Sequence, residues 1–80
     1  MIIMYTKTGC PWCNEARTFL KEKRVDFEER EVLGNEDYRK ELVAKSGQGK
    51  TPTLEVDGEI LADMDKEAIG KFLRERGVIR

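Results

Sequence analysis

The 80-residue chain predicts an α/β fold in which one four-stranded mixed sheet carries three helices on its two faces. Three observations point there. An apolar run near the N-terminus passes into residues with helical periodicity, as at the start of a parallel β-α-β unit. Later, two short apolar segments flank Asp57-Gly58, the signature of a tight antiparallel hairpin. A final apolar stripe at helical spacing then closes the order β-α-β-α-β-β-α. No repeat or linker interrupts it, so residues 1–80 read as a single domain.

Each element has its own signal. Ile2 to Tyr5 form a continuous apolar run ending in Thr6-Lys7-Thr8-Gly9, as for a strand buried on both faces that delivers the chain into a loop. From Pro11 to about Lys23, Cys13, Ala16, Phe19 and Leu20 recur at helical spacing. Val25 to Val32 alternates imperfectly and is rich in charge, which suits an edge strand that must not pair with another chain. Asn35 is a suitable N-cap, Glu36 and Asp37 favour a helix start, Tyr38 and Leu42 share a face, and Ser46-Gly47 is the stop. Residues 47–52 are loop chemistry, and Thr53 to Val56 and Glu59 to Leu61 are the hairpin strands. Asp63 or Asp65 caps the last helix, whose stripe is Ala68, Ile69, Phe72 and Leu73 and whose stop is Gly77.

Fifteen basic against sixteen acidic residues leave a net charge of −1 with no basic block, which argues against nucleic acid or an anionic membrane as partner. The N-terminal run has neither a basic leader nor a cleavage-type site, and no stretch approaches the roughly 18 apolar residues of a membrane helix. A cytoplasmic protein is expected. The chain has two cysteines and no histidine, which removes imidazole catalysis and Cys/His zinc sites within one chain.

Both cysteines lie in Thr8-Gly9-Cys10-Pro11-Trp12-Cys13. In a reducing compartment such a pair is more often catalytic or metal-binding than a structural staple. Pro11 lacks an N–H and has a fixed φ, which suits the first helical position and makes Cys10 the N-cap. Its sulfur then lies beside unpaired N–H groups at the positive end of the helix dipole, which favours thiolate. An ordinary cysteine titrates near about 8.5, and activated ones fall to roughly 3.5–7.5. Cys13, almost one turn on and in register with Ala16 and Leu20, is shielded but able to reach Cys10. This predicts an attacking Cys10, a resolving Cys13 and a redox disulfide Cys10–Cys13. Two alternatives stand beside it. A static bridge over so short a loop would stabilise little. A metal or iron-sulfur module would need a second subunit or an external thiol to complete its ligands; no metal site is expected within one chain.

With these residues in place, the sequence resembles the glutaredoxin family of the thioredoxin-like fold. The resemblance runs through the first strand, Cys10-Pro11-Trp12-Cys13 at a helix start (where Tyr is commoner than Trp12), Thr51-Pro52, the Asp57-Gly58 hairpin and the final helix. It implies a thiol-disulfide oxidoreductase, a small electron carrier acting on disulfide-containing proteins or glutathione mixed disulfides. It also implies a cis bond before Pro52 that sets Thr51 beside the disulfide, with its backbone available to a thiol substrate. Lys7 would steady the thiolate or meet a glutathione carboxylate, and Gln48 and Lys50 would give a second carboxylate contact. Pro11 and Trp12 flank the attacking sulfur, Trp12 as an exposed platform, while Tyr5 reads as core. Many glutathione users carry Gly-Gly, a small residue and Asp-Asp after the hairpin; here the stretch is Leu61-Ala62-Asp63-Met64-Asp65. Asp63 or Asp65 could still meet an amino group. Glutathione and a flavoprotein thioredoxin reductase therefore both stay open as electron donors. The expected protein is a monomer with no bound cofactor, glutathione serving at most as an external reductant.

Overall fold

The computed structural model describes residues 1–62 and 65–79. The order of elements is β1 (Ile2–Thr6), α1 (Pro11–Glu22), β2 (Glu28–Glu31), α2 (Glu36–Ser46), β3 (Thr53–Val56), β4 (Glu59–Ala62) and α3 (Lys66–Glu75). They form one mixed sheet in the order β2-β1-β3-β4. Strand β1 runs parallel to β2, with Thr6 opposite Glu31, and antiparallel to β3, with Tyr5 opposite Thr53. Thr53 in turn faces Ala62 on β4. The last residues of β1, β2 and β4 and the first of β3 therefore lie at a single end of the sheet.

Alternation along β1 divides the core. Ile2 and Met4, with Leu54 and Val56 opposite them, pack against Ala16 and Leu20 of α1 and Ile69, Phe72 and Leu73 of α3. Ile3 and Tyr5 face the other way, onto Val32, Leu42 and the half-buried Tyr38. All five residues of β1 are buried, as expected of a central strand. Helix α3 approaches α1 closely at Gly70, where a Cβ would lie 3.1 Å from Cζ of Phe19.

The helix boundaries follow from their caps. Asn35 accepts from the Tyr38 N–H at 3.1 Å, and Gly47 ends α2 in the left-handed region at φ +74°. Asp65 is the cap of α3, accepting from Ala68 at 2.9 Å; Asp63 lies outside the described residues. On α3 the stripe of Ile69, Phe72 and Leu73 is buried, whereas Ala68 is only half-buried and Gly70 completes the face. Asp57 and Gly58, with φ of +49° and +89°, make the expected hairpin turn.

The second strand is shorter than its sequence suggests. Val25 does not belong to it: Arg24 takes φ +56°, and the Val25 N–H closes the end of α1 by donating to Leu20 O at 2.9 Å. That amide is committed to a helix terminus, and the Val25 side chain joins the larger core cluster. The ladder begins only at Glu28, so β2 is Glu-Glu-Arg-Glu at the sheet edge, with no apolar residue. Ion pairs hold it instead: Arg17 to Glu29 at 2.6 Å from α1, and Arg30 to Glu28 on β2 and Glu41 on α2.

Candidate active site

The segment after β1 turns sharply: the Cys10 N–H donates to Lys7 O at 3.2 Å with Gly9 at φ +82°, a conformation that suits a residue without Cβ. Glu31, at the end of β2, grips this turn. One of its oxygens accepts from the Thr8 N–H at 2.6 Å and the Thr8 hydroxyl at 2.8 Å; the other accepts from Gly34 N–H at 2.6 Å. The Gly34, Thr8 and Leu33 bonds hold the Glu31 carboxyl below its ordinary range.

Cys10 leaves the turn in an extended conformation as the N-cap of α1, with Pro11 in the first turn. Its Sγ accepts from the Cys13 N–H at 3.1 Å. No acidic residue occupies the first turn, so a thiolate is the anion that would answer the helix dipole there. The Thr51 hydroxyl also points to Cys10 Sγ, at 3.8 Å, from across the sheet end. Partial burial pushes the Cys10 thiol up, but hydrogen bonds from Cys13, through side chain and backbone, and then from Thr51 and the Trp12 amide outweigh it and hold the thiol below its ordinary value. Cys13 is fully buried. Burial and its hydrogen bond to Cys10 raise its thiol, against smaller opposing effects of Thr51 and the Lys7 amide. The two sulfurs are free thiols of opposite character, one half-exposed and acidic, the other buried and reluctant to ionise.

Thr51-Pro52 is a cis peptide, and Pro52 and Thr53 are buried behind it. The Thr53 hydroxyl donates to Lys50 O at 2.8 Å, which ties the loop to the start of β3. Gln48 faces inward within this loop: its Oε1 accepts from the Lys50 N–H, its backbone exchanges hydrogen bonds with the Ser46 hydroxyl, and its Nε2 is buried without a partner among the described residues. Lys50 is exposed and Lys7 half-buried. Trp12, between the two cysteines in sequence, stands 59% exposed and is not part of the core. Tyr5, by contrast, is fully buried; its hydroxyl donates to Glu41 at 3.0 Å and accepts from Lys45 at 2.9 Å. The structure thus gathers Cys10, Pro11, Trp12, Cys13 and Thr51 at one end of the sheet, with Lys7 in the turn that leads to them. Asp63 falls outside the described residues.

Four residues near the thiols were not legible as site residues: Thr8 and Glu31 at the turn, and Arg17, one helical turn on from Cys13, with its partner Glu29. Of these only Arg17 carried a signal, its spacing of four from Cys13 on one helix. Among the described residues no three Cys, Asp or Glu side chains cluster as metal ligands, and no helix is long and apolar enough to cross a membrane. A groove of about 770 Å³ between α1 and α3 includes Phe19 in its lining, and neither cysteine lines it.

Comparison with known proteins is consistent along the chain. Residues 2–61 match the family model described as Glutaredoxin. The chain is 32% identical over 75 residues to an uncharacterized glutaredoxin-like 8.6 kDa protein in the rubredoxin operon of Clostridium pasteurianum, covering 94% of this chain and 100% of that one. It is 34% identical over 62 residues to glutaredoxin 3 of Escherichia coli, covering 78% and 75%. The crystal structure of a thioredoxin-like protein superposes with a TM-score of 0.84 at 33% identity, covering 91% of this chain and 100% of that one. The NrdH-redoxin of Escherichia coli shares the fold, with a TM-score of 0.74 at 18% identity over 88% and 91% of the two chains.

Proposed function

Because the chain belongs to the glutaredoxin family, we propose that it is a small dithiol thiol-disulfide oxidoreductase that reduces protein disulfides or glutathione mixed disulfides through Cys10 and Cys13. The observation that carries this reading is the Cys13 N–H donating to Cys10 Sγ at 3.1 Å at the start of a helix with no competing acidic residue. A thiolate held there attacks a substrate disulfide, forms a mixed disulfide with one sulfur and releases the other as a thiol. The buried Cys13 then attacks Cys10 Sγ, closes the Cys10–Cys13 disulfide and frees the reduced substrate; an external reductant returns two electrons. Trp12, Pro11 and the Thr51 backbone border the approach to Cys10 and are the proposed substrate contacts, with Lys7, Gln48, Lys50 and Asp63 as candidates for carboxylate and amine groups of a glutathione moiety.

Two electron donors fit, glutathione and a thioredoxin reductase. The second is favoured by Leu61 and Ala62, which are half-buried within β4 opposite Leu54 and Thr53 and present side chains where many glutathione users have glycines. On this reading the protein works as a cytoplasmic monomer without a resident cofactor. The test is direct. Reduced protein reduces a disulfide substrate, Cys10→Ser abolishes the activity, and Cys13→Ser accumulates mixed disulfides; a fully active Cys10→Ser variant would refute the reading. Oxidised protein supplied in parallel with glutathione plus its reductase, and with thioredoxin reductase plus NADPH, identifies the donor by which system regenerates the dithiol.

A further inference from the structure

The resolving step sets a chemical problem. On the reading above, on which this inference rests, Cys13 must attack as a thiolate, yet it is fully buried and its thiol is raised by burial and by its bond to Cys10. Arg17 follows Cys13 by four residues on the same helix, a spacing that stacks two side chains on one face. Its guanidinium is fixed by three hydrogen bonds: Nε and Nη2 donate to the two carboxylate oxygens of Glu29 at 2.8 and 2.6 Å, and Nη1 donates to Asn14 Oδ1 at 2.6 Å. Glu29 reaches the same place from β2 and takes a further hydrogen bond, at 2.9 Å, from the fully buried Thr6 hydroxyl.

Cys10 caps the same helix ahead of Cys13, Lys21 acts on Glu29 from one turn beyond Arg17, and Lys7 of the preceding turn contributes its backbone amide. A fixed cation thus lies one helical turn on from the buried Cys13, with a fixed anion bound to it. We propose that the Arg17–Glu29 pair sets how readily Cys13 ionises, Arg17 favouring the thiolate and Glu29 opposing it, and so governs the rate of the resolving step. Arg17 is itself held above its ordinary value by the Glu29 hydrogen bond, against burial, and then by the charges of Glu29, Cys13 and Cys10 in that order. With both partners present their effects on the sulfur offset each other, and Cys13 stays a poor acid; removing either one exposes the other.

An aromatic disulfide, dithiobis-nitrobenzoate, reads the two sulfurs separately. Cys10 thiolate attacks one reagent sulfur, forms a mixed disulfide and releases one coloured thiolate. Cys13 then loses its proton to solvent and its sulfur bonds to Cys10 Sγ. The bond from Cys10 to the second nitrothiobenzoate breaks, and that group leaves with the electron pair. Two electrons pass from the dithiol to the reagent. In stopped flow, Arg17→Gln is expected to slow the second release about three- to tenfold at neutral pH, a shift of roughly half to one pKa unit, and to move its pH midpoint upward. Glu29→Gln is expected to accelerate it and move the midpoint downward. Arg17→Lys should keep most of the rate. The first release should change less than the second in each variant.

The opposite signs are what distinguish charge from scaffolding, because both neutral variants break the same ion pair. Changes of the same sign in the two, or no change in either, would overturn the proposal. Should Arg17→Gln fail to fold by circular dichroism, Glu29→Gln still decides the matter, since acceleration is expected and slowing refutes it. Absence of any two-step release from the unsubstituted protein would instead strike at the dithiol function itself, before the charge pair enters.

Discussion

At position 10 a sulfur occupies the place that Ser, Thr, Asn or Asp usually takes at a helix start. Sulfur is a weak acceptor as a thiol and a much better one as a thiolate, so the same N–H groups that make the cap also favour ionisation. Thr51 adds a donor from a remote part of the chain, 41 residues away. Thr51→Val removes that donor with little change of volume. We expect the pH midpoint of Cys10 alkylation by iodoacetamide to rise and the rate at neutral pH to fall about threefold, in line with one lost hydrogen bond of order 1 kcal/mol partly replaced by water. An unchanged midpoint would show that the helix terminus alone sets the acidity. Gly9, at φ +82°, is the other sensitive residue; Gly9→Ala should destabilise the protein by about 1 kcal/mol in urea unfolding because an L side chain is strained there.

Helix α2 and strand β2 are the lightly built elements. Only Leu42 of α2 is buried, with Tyr38 half-buried against the same cluster, and its other inward contacts are polar, with Glu41 and Lys45 meeting Tyr5 and Lys45 pairing with Glu55 at 2.8 Å. An element so dependent on its cap should lose more when the cap goes. Asn35→Ala is expected to cost about 1 kcal/mol and to raise amide exchange through α2 while α1 exchanges as before. Equal acceleration in both helices would mean that α2 opens only with the whole fold. Strand β2 depends on charge for its side-chain contacts, and two of its carboxylates brace the site: Glu29 through Arg17 and Thr6, and Glu31 across the Thr8 turn.

At the scale of the whole molecule the larger core lies between the sheet and α1 and α3, and Leu20 sits fully buried within it. Leu20→Ala should cost about 2–5 kcal/mol, a large share of the roughly 5–15 kcal/mol typical of a small domain, and urea unfolding should show it directly. Acid should weaken the fold through β2. The Arg17 hydrogen bond, then Thr6 and the nearby cations, keep Glu29 below its ordinary value despite burial, and backbone and hydroxyl donors do the same for Glu31. Both groups bind protons more weakly when folded. Their stabilisation is therefore complete above the ordinary glutamate range and is lost as pH falls through the lower folded-state values. Urea midpoints across that range should drop for the unsubstituted protein and drop less steeply for Glu31→Gln; parallel curves would exclude Glu31 as a source.

Much of this was written locally in the chain. The β-α-β-α-β-β-α order, the Asn35 and Gly47 caps, the Asp57-Gly58 turn and the pairing of Cys10 with Cys13 depend on neighbours within a few residues, where backbone conformation and helical spacing decide the outcome. The alternation of Val25 with Phe27 resembles a strand, but the Val25 amide belongs to the preceding helix, donating to Leu20 O at its end. The family resemblance already implied Thr51 beside Cys10, which the structure meets at 3.8 Å, but the tertiary structure alone decided which charged groups brace the thiol turn and its helix: Glu31 on Thr8, and Glu29 locked to Arg17. Those meetings are made by strand pairing between segments distant in sequence, and a charged residue on an edge strand looks the same in sequence whether it faces water or a thiol.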